Sequence, residues 1–237
     1  MPERPFDADE RRHRSDGDPS GAWPQAAAIA LRDGAGAVGF EAFAGEIVRV
    51  VGGPALAQRS LLAQLADAKP PPGGGWQLFG HDLQTIDATA RRALRERAIG
   101  RALLHDRLHP SLSLVANIAL PLAAQTAARP GLAVEAAHEL EVFGLADAGH
   151  LPAARLTPSQ HRRGLMARAL ATRPPLVVLE KPEVDLMPRE IERVALALWA
   201  VAAGHAACVL LATDSPALAA LAEREFSLDR KGWRDAA

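Results

Sequence analysis

Three short, largely apolar runs punctuate this chain, at Ile47 to Val51, Leu176 to Leu179 and Cys208 to Ala212. Each precedes or follows a stretch with helical spacing. Continuous runs of this length suit parallel strands covered on both faces, which predicts an α/β sheet. Between them, Gly75 to Leu83 has strand and turn character, and Asp87 to Ala98 reads as a polar helix. Pro130 to Leu156, containing LAVEAAHELEVFGL, reads as helices of a smaller subdomain. Val194 to Thr213 is nearly all apolar and invites comparison with a membrane span. Gly204-His205 divides it, however, and its first half follows Arg189, Glu190, Glu192 and Arg193 at helical spacing. Helix, turn and buried parallel strand is therefore the expectation, with no direct span of the membrane.

Composition narrows the picture. The 237 residues are 49% hydrophobic, enough to bury a substantial core. The formal net charge of −1 provides no global field for nucleic acid or anionic lipid, so no nucleic-acid partner is expected. Residues 1–24 are charged, Pro-containing and poor in apolar side chains, which predicts a disordered tail without a signal peptide, followed by one domain over 25–237. Cys208, within ACVLLAT, is expected to be a buried, inert thiol. The eight histidines show no compact metal-ligand spacing; His105 and His109 are four apart, but LHPS around His109 is loop-like. The run His161-Arg162-Arg163 is read as a helix-opening face turned toward a partner or solvent.

The most informative segment is VRVVGGPALAQRSLL, Val48 to Leu62, which has the outline of a phosphate-binding loop, G-x-x-x-x-G-K-[ST]. Gly53 and Ser60 fill its first and last positions. Gln58 stands at the second glycine and Arg59 at the lysine. A planar guanidinium is not equivalent to a compact ammonium, and Gln58 adds a side chain where backbone must approach phosphate closely. Ser60 retains a hydroxyl suited to magnesium, and a helix N-terminus here leaves weak anion binding open.

Downstream segments follow in a recognisable order: IGRALLHDRLHPSLSLVANIALPL, LTPSQHRRGLMARAL, LVVLEKPEVDLMP and VLLATDSPALAALAEREFSL. With GEIV at Gly45 to Val48, ARAL at Ala167 to Leu170 and NIALPL at Asn117 to Leu122, the chain from about Ile29 to Leu228 resembles the ATP-binding cassette of ABC transporters. Arg162-Arg163, KPEVDLMP and Ala119 to Thr126 echo the Mla or toluene-tolerance phospholipid transporters within that family. The resemblance implies a P-loop NTPase-like α/β fold with a parallel-sheet core, an N-terminal β-rich part and a helical subdomain at about 105–165. It also implies magnesium and ATP at the P-loop, pairing of two cassettes, and an integral inner-membrane permease as partner, with the chain cytoplasmic and peripheral to that membrane.

Carried over position by position, the resemblance puts Glu180 at the magnesium-binding aspartate and Lys181 at the glutamate that activates water. Ser60 and Glu180 are then the candidate magnesium contacts. A protonated amine is not a general base, and losing one costs about 10²–10⁴-fold in rate. The glutamine position falls on Leu104, the switch histidine on Asp214 and the D-loop aspartate on Met187. The signature becomes Thr157, Pro158, Ser159 and Gln160, in which Pro158 has no N–H to donate. No aromatic stands at a suitable distance to stack adenine: Phe40 and Phe43 lie too near Gly45, and Trp23 falls in the tail. The leading expectation is a catalytically degenerate subunit, requiring no cofactor though open to weak ATP and magnesium binding. It would dock on a permease, with lipid transport as its setting, and pair as a homodimer or with an active cassette. A slow ATPase using Arg59 and Glu180, and a soluble regulator without a transporter, are the alternatives.

Overall fold

The structure, a computed structural model, describes residues 28–32, 38–70, 75–125, 131–229 and 232–235. The expected tail over residues 1–24, with Trp23, lies outside the described residues. Among the described residues ten strands form two sheets: β1 (Ile29–Arg32), β2 (Val38–Ala42), β3 (Ile47–Val51), β4 (Gly75–Leu78), β5 (His81–Asp82), β6 (Ile99–Ala102), β7 (Leu176–Glu180), β8 (Cys208–Ala212), β9 (Arg224–Asp229) and β10 (Gly232–Asp235). The smaller sheet is antiparallel, in the order β2-β1-β4-β5. The larger has the order β10-β9-β3-β8-β7-β6; only β10 runs against its neighbour.

The period of two along a strand sorts its side chains into two cores. Ile47, Val177, Leu179, Val209 and Leu211 face a core shared with the helices. Val48, Val50, Leu176, Val178, Cys208 and Leu210 face the other, shared with the antiparallel sheet. All residues of β7 and β8 are buried, which explains why both read as unbroken apolar runs. Burial also pushes the Cys208 thiol far above its ordinary value, as an inert thiol requires. Phe40 belongs to this core: its ring centroid lies 4.1 Å from that of Phe226.

The described residues also form long helices: α1 (Ala55–Ala66), α2 (Ala88–Ala98), α3 (Leu114–Gln125), α4 (Leu132–Val142) and, later in the chain, α6 (Pro188–His205). The long helix α5 (Pro158–Leu170) precedes α6, and the short α7 (Pro216–Ala219) follows it. Asp87 caps α2 by accepting from the Ala90 N–H at 2.7 Å. Gly164 lets α5 lie close to α3, because a Cβ there would meet Leu114 Cδ1 at 2.7 Å.

The helix, turn and strand expected over Val194 to Thr213 are present, but the break differs from the expected Gly204-His205. α6 continues through both residues, and the left-handed position is Ala206, at φ 53°. Among the described residues no helix is long and apolar enough to cross a membrane.

Candidate functional site

β3 ends in two glycines, Gly52 at φ 71° and Gly53 at φ 66°, both in the left-handed region that favours glycine. They turn the chain into α1, whose N-cap Pro54 makes no side-chain capping bond. Gln58 folds back onto the loop, its Nε2 donating to the Gly52 carbonyl at 2.6 Å. Arg59 reaches across to the end of β7, where its Nε donates to Glu180 Oε1 at 3.0 Å. Ser60 is exposed, and its hydroxyl accepts from Gln64 Nε2 at 3.2 Å.

Glu180 is buried, and each of its oxygens is engaged: Oε2 accepts the Leu104 backbone N–H at 3.0 Å. Lys181 has φ 48°, and its backbone N–H donates to the Ala212 carbonyl at 2.8 Å. Its ammonium forms an ion pair with the Asp214 carboxylate. Asp214 is in turn positioned by Glu183, which accepts the Asp214 N–H at 2.8 Å and the Thr213 hydroxyl at 2.7 Å. The positions carried over from the glutamate and histidine of the resembled family are thus in contact, with their charges opposite and mutually neutralised.

The Thr157 to Gln160 stretch closes on itself. Thr157 N–H donates to Gln160 Oε1 at 2.9 Å and Gln160 N–H donates to Thr157 Oγ1 at 3.2 Å, a reciprocal capping box with Pro158 in the first turn. The Ser159 hydroxyl donates to Glu190 Oε1 at 2.7 Å. Burial raises the Glu190 pKa, but the Met187 N–H, the Ser159 hydroxyl and the Arg163 charge outweigh it and hold the carboxyl below its ordinary value. Met187 itself is exposed.

The basic run corrects one expectation. Arg162 and Arg163 are buried, not turned toward solvent or a partner. Arg163 Nη1 donates to the Phe143 carbonyl at 2.7 Å and its Nη2 pairs with Glu190 at 2.9 Å. Arg162 donates to the carbonyls of Leu103 and Leu104 at 3.3 and 3.5 Å. The physical reason is that carbonyls left over at loop and helix ends need donors, and a guanidinium carries five. Sequence reasoning missed this role, because a basic run at a helix start is equally consistent with a solvated face.

Leu104, Leu108, Pro110, Leu156, His161 and Val184 line a groove of about 820 Å³ between the segment after β6 and the start of α5. Burial, then the charges of Arg107, Arg162 and Arg168, hold the His161 pKa below its ordinary value. Its Nε2 accepts the Leu108 N–H at 3.3 Å. Among the described residues no group of His, Cys, Asp and Glu could hold a metal ion.

No family model matches the chain. It is, however, 31% identical over 184 residues to the lipoprotein-releasing system ATP-binding protein LolD of Hyphomonas neptunium, spanning 78% of this chain and 81% of that protein. The chain belongs to the ATP-binding-cassette family of ABC transporters. This cassette is also 32% identical over 186 residues to LolD 1 of Rhodospirillum rubrum, covering 78% of this chain and 81% of that protein. The post-hydrolysis dimer of the ATP-binding cassette MJ0796, bound to ADP and Pi, matches the fold with a TM-score of 0.76 at 19% identity, over 85% of this chain and 94% of that one. These relatives carry the name of lipoprotein release, which corrects the expected affinity with Mla-type phospholipid transporters. They are also named as ATP-binding proteins, so they lend no support to the expectation that this cassette requires no cofactor.

Proposed function

We propose that this chain is the cassette subunit of a lipoprotein-releasing type of transporter, docked on an inner-membrane permease, with its own phosphate and hydrolysis chemistry lost. The observation that carries this reading is the pairing at the sheet end. Arg59 is committed to Glu180, and Lys181 to Asp214, so the charges that would meet a nucleotide are spent on each other. The residues present therefore do not fit magnesium ATP well. Each Glu180 oxygen already accepts a hydrogen bond, Gln58 crosses the loop, and an ammonium and a carboxylate occupy the hydrolytic positions.

The second half of a cassette site fares no better. At the start of α5 the capping box uses the Gln160 and Thr157 N–H groups, Pro158 has none, and the Ser159 hydroxyl serves Glu190. Two copies of this chain would lack both halves at both sites. Pairing with an active cassette would leave turnover to that partner, and the groove at Leu104 is the surface we assign to the permease.

Calorimetric titration of the purified chain with ATP, with and without magnesium, tests this. No binding up to millimolar ATP is expected; magnesium-dependent micromolar binding would overturn the loss of nucleotide chemistry. Docking is tested separately, by co-purification with a permease of the lipoprotein-releasing type. The left-handed turn of Gly52 and Gly53 into an uncapped α1 favours a second reading, a slow ATPase that retains weak ATP and magnesium binding through Arg59, Ser60 and Glu180. In that case Arg59→Ala or Glu180→Ala abolishes a measurable basal turnover.

A further inference from the structure

Three successive residues beyond β6 are tied down by side chains from two helices. Arg168 of α5 donates from Nη1 to the Arg107 carbonyl at 3.0 Å. His161, also of α5, accepts the Leu108 N–H on Nε2 at 3.3 Å. Asn117 of α3 accepts the His109 N–H on Oδ1 at 2.6 Å, and its Nδ2 donates to the His109 carbonyl at 3.1 Å. Leu108 is only 3% exposed, so its amide gains little from water when the imidazole acceptor is lost. The same segment forms one wall of the groove through His105, Arg107, Leu108 and Pro110.

Of these three ties, only the one from His161 changes with pH near neutrality. A guanidinium stays charged, and a carboxamide does not titrate. An imidazole nitrogen that accepts an N–H is itself unprotonated, which puts the proton of neutral His161 on Nδ1. A second proton, at Nε2, would set donor against donor at Leu108. It would also place a fourth cation beside Arg107, Arg162 and Arg168, whose charges already bear on this ring. The acids nearby act on those arginines: Asp185, Glu180 and Glu183 on Arg162, and Asp106 on Arg168. His105 and Asp185 line the same groove from the segments after β6 and β7.

We infer that His161 is an acid-sensitive clasp on this wall of the groove. Neutral, it holds Leu108 against α5; protonated, it releases Leu108 while His109 stays fixed to α3 as the hinge. The remaining bond to α5, from Arg168, is solvent-exposed and does not replace it. A single proton thus selects between a closed and an open wall, with no nucleotide or partner required. Burial, then the three arginines, hold the His161 pKa below its ordinary 6.5 in the folded protein. The clasp is therefore fully closed above that value and is lost as pH falls from there through the lower folded one.

Amide exchange followed by NMR on the full chain, corrected for the intrinsic effect of pH and paired with a titration of the His161 ring, tests the clasp. Leu108 protection is expected to fall by up to about tenfold per pH unit between 6.5 and the folded His161 value, then to level off. His109, whose acceptor does not titrate, and Val209 to Leu211 in β8 keep their protection, which separates release of the clasp from general acid unfolding. His161→Ala leaves Leu108 fast at every pH, and His161→Gln removes the pH dependence. Leu108 protection that stays flat while His161 titrates overturns the inference. So does a His161 ring that titrates at or above 6.5, or a His161→Ala variant in which Leu108 is still slow. The wild-type titration decides the matter by itself if a variant fails to fold.

Discussion

The starts of α1 and α5 are finished in opposite ways, and in the resembled family both would face phosphate. At α5, Thr157, Pro158 and Gln160 close the first turn, and Ser159 and Arg163 tie it to Glu190 at the start of α6. At α1, two left-handed glycines lead into Pro54, no side chain caps the helix, and no acid lies in its first turn. Both ends carry the partial positive charge of a helix N-terminus. What differs is whether the N–H groups are already satisfied. A terminus becomes an anion site through its free donors; at α5 the capping box takes the Thr157 and Gln160 N–H groups and Pro158 has none, whereas at α1 the Ala57 and Gln58 N–H groups meet only the Pro54 carbonyl.

That contrast can be broken or sharpened by substitution. The largest effect is expected at the α5 junction. Arg163→Ala leaves the Phe143 carbonyl without its donor and half-buried Glu190 without its partner, and should destabilise the fold by about 1–3 kcal/mol, measured by denaturant unfolding. A loss below that for an exposed pair would show that the junction is solvated. Thr157→Ala opens the capping box at a cost of about 1 kcal/mol. If α5 resembles α1 once uncapped, this variant should also gain weak affinity for inorganic phosphate, read by calorimetry.

At α1 the expected change is in affinity. Gln58→Gly removes the side chain that bonds to the Gly52 carbonyl. Against a wild type expected to show no binding up to millimolar ATP, removing about 1 kcal/mol of competing hydrogen bond favours ATP by roughly fivefold, read as the appearance of weak millimolar binding. A variant that still shows no binding would mean that Gln58 is not what closes the loop. The smallest effect is assigned to Lys181→Ala. Its partner Asp214 is 81% exposed in its side chain, so the pair should contribute less than about 1 kcal/mol.

Acid provides a further test of the junction. The Glu190 carboxyl is held below its ordinary value of 4.5 in the folded protein. Its stabilisation is therefore fully present above that value and is lost as pH falls through the lower folded one. Glu190→Gln should flatten this part of the acid-unfolding curve, and a variant with the wild-type profile would remove Glu190 as its source.

Much of the framework was legible because its signals are local. Continuous apolar runs at β7 and β8 announce strands buried on both faces, and the Asp87 cap with its polar run announces α2. The candidate site was legible only as positions carried over from a resemblance. Gln58, Arg59, Lys181 and Asp214 could be named from the chain, but their partners are brought together by strand order, from positions far apart in sequence. Read singly, Asp214 is a repulsive carboxylate and Lys181 a solvated lysine; placed at adjacent strand ends, they neutralise each other.

Sequence alone determined the class of fold and marked the residues proposed as departures from the cassette pattern, because periodicity and motif spacing are properties of short segments. Tertiary structure decided what those residues do instead. Only the packing of α5 against the end of β6 turns Arg162 inward onto Leu103 and Leu104, and only the parallel placement of β7 beside β6 brings Glu180 to the Leu104 amide. Hydrogen bonds need their partners within about 3 Å, and no one-dimensional pattern encodes that distance between residues so widely separated.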